Sequence, residues 1–185
     1  MKEYIDQAYE LYENKQWKLA HQTIIREQSY NTNPVALNLI GSIYWKLGNK
    51  KEAKKYFLLS AKCRSDFWPA YFNLGNLFFD INDLDKAIKY YMGALMHKGE
   101  HFLLFYNIGT CYLKKKKYKK AIGYLKKSLQ LKPSHLQSNI NLANAYYMDK
   151  DYKKALIYYN TALALDGNNH SAMIGYEKSW TGIVS

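Results

Sequence analysis

Small residues recur along this chain at a fixed interval of 34, and that interval constrains the fold more than any other feature. Gly41, Gly75, Gly109 and Ala143 stand 34 apart, and twelve positions after each comes an alanine, namely Ala53, Ala87, Ala121 and Ala155. A period between about 20 and 50 residues marks an array of supersecondary units, none of which can bury its apolar face without a neighbour. Large residues flank both registers: Ile40 and Tyr44 beside Gly41, Leu74 and Phe78 beside Gly75, and Phe57, Tyr91, Leu125 and Tyr159 four positions beyond the alanines. Spacings of three and four place these side chains on one face of a helix with the small residue among them. Each unit therefore reads as a helical hairpin whose two helices approach closely where a small residue meets a small residue.

The punctuation agrees. Short breaks fall between the two helices at LGN (47–49), INDLD (81–85), KKKK (114–117) and MDKD (148–151), and Ser65, Gly99, Pro133 and Gly167 follow the second helix. Glycine can close a helix C-terminus and proline cannot continue one.

The pattern aromatic-x2-Leu-Gly-x2-Tyr, then Ala-x3-Phe, then Pro resembles the tetratricopeptide repeat. The match covers four units, 34–67, 68–101, 102–135 and 136–169, about three quarters of the chain. Asn139 departs from the usual aromatic, and only the unit at 102 keeps its closing proline. A fainter copy with Ala8, Leu11, Trp17, Ala20 and Ile24 fills 1–33, and Met173, Tyr176 and Trp180 repeat the large-residue spacing of a first helix over 170–182. Glu177 takes the small-residue position there, so no close approach is expected, and the segment reads as a capping helix with a polar outer face. The resemblance implies an all-α, right-handed helical-hairpin solenoid spanning 1–185 as a single array, with a C-terminal capping helix.

Hairpins that pack only on their neighbours leave a concave side lined by the face of each first helix opposite its small residue. That stripe opens with Val35, Asn38 and Leu39 in the first good unit and elsewhere carries Phe72, Asn73, Asn76 and Phe79, Tyr106 and Asn107, and Asn141, Asn144 and Tyr147. Asn73, Asn107 and Asn141 again stand 34 apart. An amide donates and accepts, so it can pair with an extended backbone whatever its side chains, and the resemblance implies that role because similar asparagine ladders clamp ligand backbones in several members of the family. The aromatic residues Phe72, Phe79, Tyr106, Tyr147 and Trp45 are expected as anchors, with Trp45 and Phe79 equally suited to packing between units. One subclass of the family grips a C-terminal carboxylate with lysines and an arginine; the corresponding places here hold Phe72, Gln137 and Asn141, so no such clamp is expected.

Composition narrows the partners. The net charge is +12, yet only Arg26 and Arg64 among the 27 basic residues are arginines, which weakens the case for planar readout of phosphate or guanine. Lysines 114 to 120 and the second-helix lysines read as a solvated outer edge, with nucleic acid or an anionic surface as the alternative ligand. Cys63 and Cys111 lie far apart, and the five histidines are not clustered with ligands, so no disulfide, metal or cofactor is expected. No phosphate loop, serine elbow or carboxylate pair appears, and no enzymatic activity is expected. Neither a secretory leader nor a membrane-spanning stretch is evident, which fits a cytoplasmic protein. The expected function is non-catalytic protein binding as an adaptor, scaffold or chaperone-like module; self-association through the groove is a further possibility.

Overall fold

The computed structural model describes residues 2–26 and 29–184. Eleven α-helices and one short 3-10 turn are present among them, with no strand. The chain divides into two compact units, Met1–Gly99 and Glu100–Ser185. The first contains α1 (Lys2–Glu13), α2 (Trp17–Ile25), the 3-10 turn (Tyr30–Thr32), α3 (Pro34–Lys46), α4 (Lys50–Cys63), α5 (Trp68–Asp80) and α6 (Leu84–Lys98). The second contains α7 (Phe102–Lys114), α8 (Tyr118–Leu131), α9 (Leu136–Met148), α10 (Tyr152–Leu165) and α11 (His170–Val184).

Each turn inside a hairpin is closed by the same backbone device. Lys15, Gly48, Asn82, Lys116 and Lys150 all adopt positive φ, between 57° and 81°. The amide of the next residue then reaches back to the first helix: Asn49 to Tyr44, Asp83 to Phe78, Lys117 to Tyr112 and Asp151 to Tyr146, each at 2.9 Å. This left-handed closure satisfies carbonyls that the helix end would otherwise leave unpaired. Only Gly48 takes the conformation without steric cost. The following helix is capped by a side chain in three cases, since Asn49, Asp83 and Asp151 accept from the amides of Glu52, Lys86 and Lys154. At the equivalent position before α8 stands Lys117, which makes no side-chain cap bond.

The close approach within a hairpin differs from the expected meeting of small with small. A Cβ placed on Gly41 would lie 2.6 Å from the Phe57 ring, one on Gly75 2.5 Å from Tyr91, and one on Gly109 2.7 Å from Leu125. The small residue of the first helix therefore lies beneath the large residue of the second, which is wholly or almost wholly buried there. Burying each such side chain is worth about 1.5–3 kcal/mol, and in these three hairpins the bare backbone of glycine makes the room for it.

A second recurring contact was not apparent in the sequence registers. Tyr44 stacks on Tyr56, Phe78 on Tyr90, Tyr112 on Tyr124 and Tyr146 on Tyr158, with interplanar angles of 15°, 3°, 18° and 10°. In three hairpins a lysine lies over the first ring of the pair: Lys86 over Phe78, Lys120 over Tyr112 and Lys154 over Tyr146, at 5.4 to 5.6 Å. Lys54 also lies over Phe78 and Lys127 over Phe105. Part of the lysine-rich edge is thus cation–π packing over buried and half-buried rings.

The C-terminal helix is rotated from its expected register. Met173 and Trp180 are exposed, at 44% and 56%, while Ala172 and Ser179 are buried. Gly175 and Gly182 bring α11 close to α10, where added Cβ atoms would meet Tyr159 and Tyr152. The small residues decide the buried face because the tyrosines of α10 already occupy the space. A close approach exists here after all, and the outer face carries apolar Met173, Trp180 and Val184.

Candidate functional site

The expected groove residues lie on first helices, and in each unit the structure gives most of them a partner within the chain. In the first unit Phe72, Asn73, Asn76 and Phe79 are all half-buried on α5. Asn73 Nδ2 donates to Oδ1 of Asn38 on α3 at 3.0 Å, tying neighbouring first helices together. Asn38 and Leu39, expected to face the concavity, are buried, because α3 packs against α2 and α5 on that side as well. Asn76 Oδ1 accepts from the Tyr91 hydroxyl at 2.7 Å. The Phe72 ring contacts Trp68 and Tyr91, and Trp45 sets its edge against Phe57. Trp45 is therefore a packing residue of its own hairpin.

In the second unit Tyr106 and Asn107 lie half-buried on α7, and Asn141, Asn144 and Tyr147 on α9. Asn141 Nδ2 donates to Thr110 Oγ1 at 3.0 Å, the counterpart of the Asn73–Asn38 link. Tyr106 sets its ring edge against His135 at 5.0 Å, and Tyr147 packs beside Tyr152. Asn144 Oδ1 accepts from the Tyr159 hydroxyl.

A rule links these bonds to the repeat. Where the buried second-helix residue is tyrosine, the residue fifteen positions earlier is asparagine, as in Asn76–Tyr91 and Asn144–Tyr159. Where it is Phe57 or Leu125, the same position holds Ser42 or Thr110, whose hydroxyl bonds back to its own helix. A buried phenol needs a partner, and a buried phenyl or leucine does not. Asn76 and Asn144 thus have a structural reason to be present that the sequence registers did not reveal, though the paired spacing of fifteen was visible in principle.

Asn144 also lines a cavity of about 490 Å³ within the second unit. Its walls include Leu113, Tyr147, Met148 and Ile174, with Tyr159 and Gly175 also among its lining. Lys114, Lys116 and Lys178 complete its rim, and no lining residue is acidic. Burial, reinforced by the neighbouring Tyr147, pushes the Tyr159 hydroxyl up to about 12, so it stays protonated and donates to the Asn144 oxygen. Of these lining residues, the sequence stripe named Asn144 and Tyr147; Lys114 and Lys116 were read as outer edge, and Tyr159 and the α11 contribution were not placed here, because α11 was read in another register.

Among the described residues no group of three or more His, Cys, Asp and Glu side chains is placed to hold a metal ion. No described helix is long and apolar enough to cross a membrane. Cys63 is exposed and Cys111 buried, and burial pushes the Cys111 thiol up to about 12, which makes it a packing residue rather than a nucleophile.

With this geometry the comparisons agree. Tetratricopeptide repeat models match residues 34–63, 69–96 and 100–168, together more than half of the chain. The chain belongs to the tetratricopeptide repeat family. PilF of Pseudomonas aeruginosa shares the fold with a TM-score of 0.87 at 18% identity, over 98% of this chain and 83% of that one. YrrB, described as a tetratricopeptide repeat protein with an unusual peptide-binding site, is similar at TM-score 0.78 and 17% identity, over 94% of this chain and 90% of its own. The first tetratricopeptide domain of Spaghetti (RPAP3), bound to the HSP90 peptide SRMEEVD, gives 0.62 at 21% identity, over 64% of this chain and 94% of its own. No match is found among curated protein sequences. Tetratricopeptide repeats generally mediate protein–protein interaction and are typically non-catalytic.

Proposed function

We propose that this protein is a non-catalytic adaptor or scaffold that holds a polypeptide segment against the exposed faces of its first helices. The observation that carries this reading is the second unit's run of Tyr106, Asn141, Asn144 and Tyr147, which leads along α7 and α9 into the cavity beside α11. Asn141 uses one N–H on Thr110, and its amide has a second N–H and a carbonyl with which to pair an extended backbone. Net contributions of about 0.5–1.5 kcal/mol per hydrogen bond do not make a tight complex alone, so Tyr106 and Tyr147 serve as anchors. The same role is proposed for Phe72, Asn73 and Phe79 of the first unit, and for Asn107. Asn76 and Asn144 hold Tyr91 and Tyr159 through their amide oxygens and are proposed to face the same segment. Similarity to two structures described as peptide-binding or peptide-bound is consistent with this role. A cytoplasmic setting and a chaperone-like use of the surface belong to the same proposal.

The test is affinity capture from source lysate at moderate salt, comparing wild type with the Asn73→Ala, Asn107→Ala, Asn141→Ala variant. Asn73→Ala also unpairs the buried Asn38 oxygen, so circular dichroism must first show a folded variant. A partner retained by wild type and lost by the folded variant supports the reading. Identical partners on both baits sink it.

A further inference from the structure

We infer that the cavity beside α11 selects an acidic side chain flanked by an apolar one within the bound segment. This deepens the proposed polypeptide-binding role and rests on it. Two observations converge. First, the Tyr159 hydroxyl donates to Asn144 Oδ1, so the oxygen is engaged, and the amide, which lines the cavity, has N–H groups to donate. The rim adds the ammonium groups of Lys114, Lys116 and Lys178, with no carboxylate among the lining residues. Donors at Asn144 and along the rim call for an acceptor, and ammonium groups favour an anionic one. Second, the walls are apolar through Leu113, Met148 and Ile174, and the last two expose 49% and 37% of their surface. An ion alone would leave that surface wet, whereas an apolar neighbour of the carboxylate would cover it.

The occupant is a segment running through, because the cavity continues the row of Thr110 and Asn141 by one turn on the same two helices, to Leu113 and Asn144. A second copy is a poor occupant, since each chain carries +12. The site is separate from the family's carboxylate clamp, whose cation positions hold Phe72, Gln137 and Asn141 here.

Fluorescence anisotropy on the full chain tests this with short labelled peptides, acetylated and amidated, that place Glu, Gln or Lys between two leucines. The Glu peptide is expected to bind about tenfold more tightly than the Gln peptide at low salt, with the Lys peptide weakest. That preference is expected to vanish in the Lys116→Glu, Lys178→Glu variant, whose changes lie on exposed positions. Equal binding of the Glu and Gln peptides overturns the carboxylate selection and leaves the polypeptide reading intact. A preference that survives the charge reversal places the site elsewhere and overturns it too. Tight binding of a Glu-free peptide with a free C-terminus overturns the internal-segment assignment. Concentration-dependent mass in light scattering, abolished by the charge reversal, makes the occupant a second copy and overturns the partner assignment. If no peptide binds while the lysate comparison still loses its partner, this inference fails alone.

Discussion

At the scale of single residues, close approach and burial explain more than residue type does. Gly75 and Gly123 are both mid-helical, yet a Cβ on Gly75 meets the Tyr91 ring at 2.5 Å and one on Gly123 meets nothing within 4 Å. Gly75→Ala is expected to destabilise by about 1–3 kcal/mol through overpacking. Gly123→Ala is expected to stabilise by about 0.5–1 kcal/mol through helix propensity. Urea unfolding midpoints check the opposite signs, and equal signs would refute the close-approach account. The Asn144–Tyr159 bond gives a second prediction. Tyr159→Phe should cost about 1 kcal/mol, and Asn144→Ala about 1–3 kcal/mol because it strands a buried hydroxyl. A double-mutant cycle should then return a coupling of about 1 kcal/mol. Zero coupling would mean that Asn144 is not there to hold the tyrosine. The repeat register revealed Asn144 from sequence, but its partner lay on the other helix of the hairpin, and a spacing of fifteen is not a periodicity of any single helix.

At the scale of elements, the hairpin is one module built five times with local departures. The departure at α8 is the most informative. Its N-terminus carries Lys117, Lys119 and Lys120 and lacks an acidic cap, so the positive end of the helix dipole meets positive charge. Lys117→Asp should restore the arrangement of Asp83 with Lys86 and of Asp151 with Lys154. A gain of about 1 kcal/mol is expected, read from the shift of the urea midpoint at unchanged slope. No gain would mean that the turn at Lys116 cannot accept the cap geometry. The helices and their turns were legible in sequence because each rests on signals within a few residues. The stacked ring pairs, such as Phe78 on Tyr90, were not, because pairing across a hairpin depends on how the helices are rotated about their axes.

At the scale of the whole molecule, charge and titration act through the sum of both units. His21 in the first unit and His135 in the second both have depressed pKa values, caused chiefly by burial and, for His135, also by the positive charge of Lys132. A base depressed in the folded state binds fewer protons than in the unfolded state, so folding is unpenalised above about pH 6.5 and loses stability as pH falls below it. Thermal midpoints should therefore fall between about pH 7.5 and 5. His21→Gln together with His135→Gln should flatten that slope. The lowered carboxylates Asp80 and Asp151 titrate in a more acidic window and do not confuse the reading. A slope unchanged by the double substitution would show that the histidines are not its source.

The sequence by itself determined the all-α hairpin array, its family and the placement of amides and aromatics on first helices, since a 34-residue period and helical spacing are properties of order along the chain. Only the tertiary structure decided which of those amides already have partners, that glycine lies beneath a large side chain rather than against alanine, and that α11 turns Ala172, Gly175 and Ser179 inward. The physical reason is packing density. A close-packed interior admits one rotation of each helix, set by side chains distant in sequence, and the cavity beside α11 exists because Tyr159 and Gly175 settled that rotation together.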